Sequence, residues 1–185
     1  MPERVCPWWL GYLLASPLRR LLQDPVKVVA PYVRQGMCVL EPGPGMGFFT
    51  LELARLVGPS GKVVAVDVQP RMLSQLKRRA ARAGLQERVD ARLAAPDSLG
   101  IADLDGSIDF TLAFALVHEL PAAQPFFVEV AKASKPGAGL LFAEPAGHVK
   151  KAGFEVELRA ALDAGFELAE RPVIARSLAA LLARK

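Results

Sequence analysis

Short unbroken apolar runs alternate along this chain with stretches whose apolar residues recur at helical spacing. Val63-Val64-Ala65-Val66 is such a run, and Met72, Leu73, Leu76, Ala80 and Ala83 then line one face of a helix. Unbroken runs suit strands buried on both sides, and amphipathic helices between them supply the cover, so the alternation predicts a parallel sheet with helices on both faces. The strands are expected at 38–41, 63–67, 89–93, 108–114, 140–144, 166–171 and 177–183, with helices at 48–56, 70–83, 122–133 and 153–164. No helix separates the last two strands, which predicts an antiparallel hairpin at one edge, with Pro172 at or near the bend. Residues 5–15 are apolar-rich, but Pro7 and Gly11 interrupt them and Glu3 balances the preceding charge. The segment is too short to span a bilayer, and these features argue against export. It is expected to form a helical cover over 1–36, in which Trp8, Trp9, Tyr12 and Tyr32 either wall a pocket or pack the segment onto the core.

The first run leads into Glu41-Pro42-Gly43-Pro44-Gly45-Met46-Gly47, three glycines at alternate positions between a strand and a helix. Glycine admits positive φ and has no Cβ, so a ligand can press against bare peptide groups at such a turn. A second run ends in Asp67, at about the 20-residue spacing where an acid meets ribose hydroxyls. The glycine spacing differs from the G-x-G-x-x-G of dinucleotide turns, and Glu41 beside the loop would repel a pyrophosphate while suiting an ammonium or sulfonium cation.

With Glu41 and the G-x-G-x-G that follows, the chain resembles the class I S-adenosylmethionine (SAM) dependent methyltransferases. The resemblance runs from Met37 to Lys185, through Asp67, Ile108-Asp109-Phe110, Lys135-Pro136-Gly137-Ala138-Gly139 and Ala164-Gly165-Phe166, in the family's order. It implies an α/β, Rossmann-like three-layer sandwich whose mostly parallel seven-stranded sheet has the order 3-2-1-4-5-7-6, within a single domain over 1–185 with its core at 37–185. It also implies SAM as the cofactor. Glu41 would orient the loop or bond the cofactor's amino group, Gly43, Gly45 and Gly47 would admit its methionine portion, Asp67 would hold the ribose, and Val68 would lie under the adenine. Phe48 and Phe114 complete the expected cofactor set, with Phe49 as a further wall residue. After the third strand the family's usual acid is replaced by Ala95. Either Asp97 substitutes for it, or the backbone of Ala94 and Ala95 reads the base and Asp97 caps the next turn. For Asp67 the competing role is likewise a helix cap.

The family's reaction is direct displacement of the methyl by an acceptor atom, and a base is needed only when that acceptor must lose a proton. His118-Glu119 follows the fourth strand, while Glu144 and His148 follow the fifth, so all four groups are expected to project toward the acceptor. The catalytic candidates are His118, Glu119 and His148, against the alternative that each histidine is a hydrogen-bonded loop or helix-start residue. No helical H-x-x-x-H spacing supports a metal, and none is expected.

Composition narrows the picture. At 185 residues, 52% hydrophobic and 23% charged, the chain can bury one core as an ordinary enzyme domain. Two cysteines, Cys6 and Cys38, form no disulfide framework, which makes the cytoplasm the default location. The net charge of +4 raises nucleic acid as a partner, with Lys77, Arg78, Arg79 and Arg82 as the densest cluster. That cluster falls opposite the apolar helix face and carries no interleaved aromatic residue, so it reads as solvated surface. The expected partner is a small acceptor, apolar or quinone-like, because two separated cysteines do not favour an arsenite-type thiol site. The rivals are a non-catalytic module that binds SAM or S-adenosylhomocysteine and works through a partner protein, and, less favoured, an NAD-binding domain.

Overall fold

The computed structural model describes residues 23–185, which form two compact units divided after Gly100. The expectations for Trp8, Trp9 and Tyr12, and for the helical cover before residue 23, lie outside the described residues. Together the strands follow the order β3-β2-β1-β4-β5-β7-β6, the order implied by the resemblance.

The first unit holds α1 (Pro25–Val29), β1 (Cys38–Pro42), α2 (Thr50–Leu56), β2 (Lys62–Asp67), α3 (Pro70–Arg82) and β3 (Val89–Leu93). Helix α1 starts where Asp24 Oδ1 accepts the Val26 N–H at 3.0 Å, with proline preorganised in the first turn. Strand β2 pairs in parallel with β1 and β3, setting Val64 between Leu40 and Asp90. Val63, Val64, Ala65 and Val66 are all buried, as an unbroken apolar run requires. The helical spacing read from the sequence is realised in α3 at Met72, Leu73, Leu76 and Ala80, which are buried, whereas Ala83, read on the same face, caps the helix end and is exposed. Leu73 and Leu76 pack on Ala65 of β2. Helix α2 begins two residues later than expected, because Gly45 to Phe49 continue the turn.

The second unit holds β4 (Ile108–Phe114), α4 (Ala123–Ala133), β5 (Ser134–Pro145), α5 (Lys151–Asp163), β6 (Phe166–Glu170) and β7 (Ser177–Arg184). Strand β5 runs parallel to β4 and antiparallel to β7, and β7 pairs with β6 as the expected edge hairpin. Strand β5 starts six residues earlier than the sequence suggested. Its pairing jumps from Ile108 opposite Ser134 to Phe110 opposite Gly139, so Lys135 to Ala138 form a bulge within the strand. Gly137, at φ 77°, supplies the left-handed residue there. Phe127, Phe142 and Phe154 pack across α4, β5 and α5, the first pair edge to face and Phe142 and Phe154 parallel at 4.7 Å between ring centroids. Pro172 lies in the loop between β6 and β7.

Candidate functional site

In the first unit the loop after β1 is shaped by backbone strain that only glycine relieves. Gly43, Gly45 and Gly47 have φ of 68°, 54° and 84°. A Cβ on Gly45 would meet nothing within 4 Å, whereas one on Gly47 would lie 2.4 Å from Leu76 Cδ1. Conformation alone therefore explains Gly45, while Gly47 also lets the loop close on α3. The Gly43 N–H donates to Val66 O at 2.8 Å, tying the loop to β2, and the Gly47 N–H donates to Pro44 O at 2.9 Å. From α3, Arg79 Nη1 donates to Met46 O at 2.6 Å. This corrects the reading of the basic cluster: Lys77, Arg78 and Arg82 are exposed, but half-buried Arg79 reaches back to hold the glycine loop. Sequence reasoning missed it because the partners are 33 residues apart.

Glu41 is 3% exposed at the end of β1. Its Oε2 and the neighbouring Thr50 Oγ1 are buried without a hydrogen-bond partner among the described residues. Burial pushes the Glu41 carboxyl up to about 7, the Thr50 hydroxyl partly offsets this, and the charge of Asp67 adds to it. An orphaned buried carboxylate oxygen is costly unless a ligand supplies a donor. Asp67, 9% exposed, uses Oδ1 to accept the Gln69 N–H at 2.8 Å, so it does serve the entry to α3. Val68 is 41% exposed just beyond it. Phe48 and Phe49 are buried edge to face. Ala95 and Asp97 are both exposed, and the Ser98 hydroxyl, not Asp97, accepts the Gly100 N–H. Glu41, the three glycines, Phe48, Asp67, Val68, Ala95 and Asp97 all belong to the first unit. Phe114, half-buried at the end of β4, belongs to the second.

In the second unit a short 3-10 turn, Val117–Glu119, follows β4. Ala115 enters it at φ 55°, a conformation that costs a side-chain-bearing residue about 1–3 kcal/mol. Its N–H donates to Ala143 O at 2.8 Å. The turn delivers two donors to Glu144 of β5: the Val117 N–H reaches Oε1 at 2.7 Å, and His118 Nδ1 reaches Oε2 at 2.5 Å. Glu144 is fully buried. It therefore does not project into an acceptor mouth as expected; it faces inward and spends both oxygens on the turn. Its hydrogen bond raises the His118 pKa, burial works against that, and the charges of Glu144, Glu119 and Glu157 add to the rise. With Nδ1 committed to Glu144, Nε2 has no hydrogen-bond partner among the described residues. The His148 ring, on the exposed loop before α5, lies 6.2 Å from that of His118. Half-buried Glu157 of α5 was absent from the sequence reading. Its Oε2 is buried without a partner among the described residues, and burial first, then the Glu144 charge, push its pKa to about 7 against the opposing effect of His118. Among the described residues no group of three or more His, Cys, Asp or Glu is placed to hold a metal ion.

Residues 34–174 match the family described as a methyltransferase domain. The chain belongs to that family. The methyltransferase domain is 32% identical over 102 residues to an arsenite methyltransferase of Halobacterium salinarum, covering 55% of this chain and 25% of that protein. Over 127 residues it is 30% identical to a demethylmenaquinone methyltransferase of Lactobacillus johnsonii, covering 66% and 51%. It spans about half the length, or less, of these curated relatives. A crystal structure of a SAM dependent methyltransferase from Aquifex aeolicus superimposes with a TM-score of 0.84 at 26% identity, covering 97% of this chain and 98% of that one. The cofactor of this methyltransferase domain is SAM, and the orphaned Glu41 oxygen fits the ammonium that SAM carries. No helix of the described residues is long and apolar enough to cross a membrane.

Proposed function

We propose that the chain, read as one functional domain over 1–185, transfers the methyl of SAM to a small-molecule acceptor that gives up a proton during the reaction, and that it works in the cytoplasm. When bound, SAM supplies an electrophilic methyl on a cationic sulfur. Glu41 Oε2 accepts from the cofactor's ammonium, and Gly43, Gly45 and Gly47 leave room for its methionine portion. Asp67, which accepts the Gln69 N–H at Oδ1, would hold the ribose hydroxyls. Val68 and Phe48 would supply apolar contacts, and Ala95 with Asp97 would border the base. Orienting the cofactor this way supplies the positional part of the rate.

The observation that carries the proton-losing acceptor is His118, held at Nδ1 by a fully buried carboxylate with Nε2 left over. Fixing one ring nitrogen selects the tautomer and leaves the other to accept a proton. Glu119 adds negative charge that favours the imidazolium so formed, and His148 borders the same ring. An acceptor with a weakly acidic O–H or C–H, such as a reduced quinone, uses this base, whereas a lone-pair acceptor such as arsenite does not. The demethylmenaquinone relative agrees with the former. A small acceptor is also favoured over nucleic acid by Arg79, which turns into the glycine loop instead of joining the exposed basic face.

Calorimetric titration with S-adenosylhomocysteine, run beside NADH, tests the cofactor half of the reading. Binding of the adenosyl ligand alone is expected, weakened at least about tenfold in Asp67→Ala through loss of charged hydrogen bonds. Unchanged affinity in that variant would show the binding map to be wrong. A screen of hydroquinone acceptors then tests the substrate class. The second reading is a SAM-binding module completed by a partner protein. Cofactor binding without transfer to any small acceptor would favour it.

A further inference from the structure

Two residues one turn apart on α3, Leu76 and Arg79, meet two adjacent residues of the glycine loop. Positions i and i+3 share a helix face, and side chains there lean back toward the helix start. Leu76 Cδ1 fills the space that Gly47 leaves by lacking a Cβ, and Arg79 Nη1 donates to Met46 O at 2.6 Å. The Met46 carbonyl and the Gly47 N–H belong to one peptide unit. Its N–H donates to Pro44 O at 2.9 Å, so both ends are bound, one from within the loop and the other from α3. Gly47 sits at φ 84° and has no Cβ to restrain it, so the bond to Pro44 alone would leave this unit able to turn over. A charged donor on its carbonyl makes the stronger of the two ties. The loop stays open at half-buried Gly45, where a Cβ would meet nothing within 4 Å.

We propose that Arg79 is a positioning residue for the cofactor: it locks the Met46–Gly47 peptide in the orientation that the methionine portion of SAM requires. The proposal rests on the reading of the glycine loop as the seat of that portion. Arg79 acts through the loop, because its guanidinium is engaged with a protein carbonyl. The same helix carries the ribose acid at its head, where the Gln69 N–H donates to Asp67 Oδ1 at 2.8 Å. One element of 13 residues therefore serves the ribose end of the cofactor from its start and the methionine end from its flank. Without Arg79 the two ends separate in their response. The ribose acid keeps its place on α3, whereas the loop spends part of its time with the peptide turned away, and apparent affinity for the methionine portion falls with the fraction of loop in the competent form. Arg78, beside Arg79 in sequence, is exposed on the solvated face, so a charge removed there leaves the loop untouched.

The test compares two ligands on the full chain by calorimetry. S-adenosylhomocysteine carries the amino-acid portion, and methylthioadenosine keeps the ribose and base but lacks it. In Arg79→Met, which retains the apolar stem, S-adenosylhomocysteine affinity is expected to fall about tenfold while methylthioadenosine affinity stays within about twofold. Arg79→Lys keeps a charged donor and should recover part of the loss, and Arg78→Met should change neither ligand. Amide hydrogen exchange of the ligand-free protein, followed by NMR, reads the lock itself. The Gly47 N–H should exchange faster in Arg79→Met, and the Gly43 N–H, held by Val66 O at 2.8 Å, should not. Unmoved S-adenosylhomocysteine affinity in Arg79→Met, unchanged Gly47 exchange, or a parallel loss of both ligands overturns the proposal; the parallel loss is what a merely structural residue would give. Failure of the glycine-loop reading is separate: it shows as equal affinity of the unaltered protein for the two ligands, whatever the exchange rates give.

Discussion

Strands β1 and β5 both end in Glu-Pro, at Glu41-Pro42 and Glu144-Pro145, and both glutamates are buried, at 3% and 0% exposure. Proline withholds a donor and helps end each strand at the same relative position. The two carboxylates nevertheless have opposite standing. Glu144 has each oxygen on a protein donor from the turn after β4, while Glu41 Oε2 has none among the described residues. A buried carboxylate that its own unit satisfies is part of the scaffold, and here it aims a histidine. One that its unit leaves orphaned is tolerable mainly because a cationic ligand completes it. On the proposed function, the same dipeptide marks a positioning residue in the second unit and a cofactor residue in the first.

The contrast breaks most visibly at His118. If Glu144 serves the ring and Glu41 the cofactor, His118→Asn lowers kcat by about 10²-fold or more, the usual worth of a general base, and leaves S-adenosylhomocysteine affinity unchanged. Glu144→Gln should act in the same direction by a smaller factor, because the amide cannot stabilise an imidazolium. Steady-state kinetics beside calorimetry reads both quantities. A matching loss of cofactor affinity would erase the division of labour between the units.

That division was only partly legible in the sequence. The glycine turn and Asp67 are local patterns whose chemistry can be read from neighbours in the chain, and the strand order followed once the motifs were placed. His118 and Glu144 could be assigned to strand ends, but not the inward turn of Glu144, which depends on a contact across 26 residues. Arg79 looked like solvated surface because helical periodicity reports which face a residue occupies, not how far a long side chain reaches. Thr50 and Glu157 carried no signal at all. Each is a polar residue on a helix, and its effect shows only through the charge of a carboxylate elsewhere in the chain.

Glu41 sharpens the comparison through pH. Its carboxyl is pushed up to about 7, so at lower pH a bound ammonium must displace a proton. Cofactor affinity should therefore rise with pH and level off above about 7, falling by up to about tenfold per unit below it. Stability of the ligand-free protein has the opposite sign. The folded state holds this proton up to about 7 against 4.5 for the ordinary group, so the contribution is full below 4.5 and is lost as pH rises toward 7. Glu41→Gln should bind S-adenosylhomocysteine more weakly above pH 7 and with a flat pH profile. A sloping profile retained in that variant would assign the proton to another group and remove the contrast with Glu144.

The smallest expected effect is at Gly47, where the first unit joins loop shape to packing. Alanine there must hold φ near 84° and place its Cβ 2.4 Å from Leu76 Cδ1, a side chain fully buried against Ala65. Strain and overpacking together should cost about 1–3 kcal/mol, visible as a lower Tm, with a several-fold loss of cofactor affinity. Gly45→Ala separates the two causes, since its Cβ meets nothing within 4 Å and only the φ of 54° resists it. If Gly45→Ala is as destabilising as Gly47→Ala, the contact with α3 contributes nothing and backbone conformation alone shapes the loop. If Gly47→Ala is clearly worse, the glycine loop is seated on α3 by packing, and neither variant should alter the pH titration of His118 in the second unit.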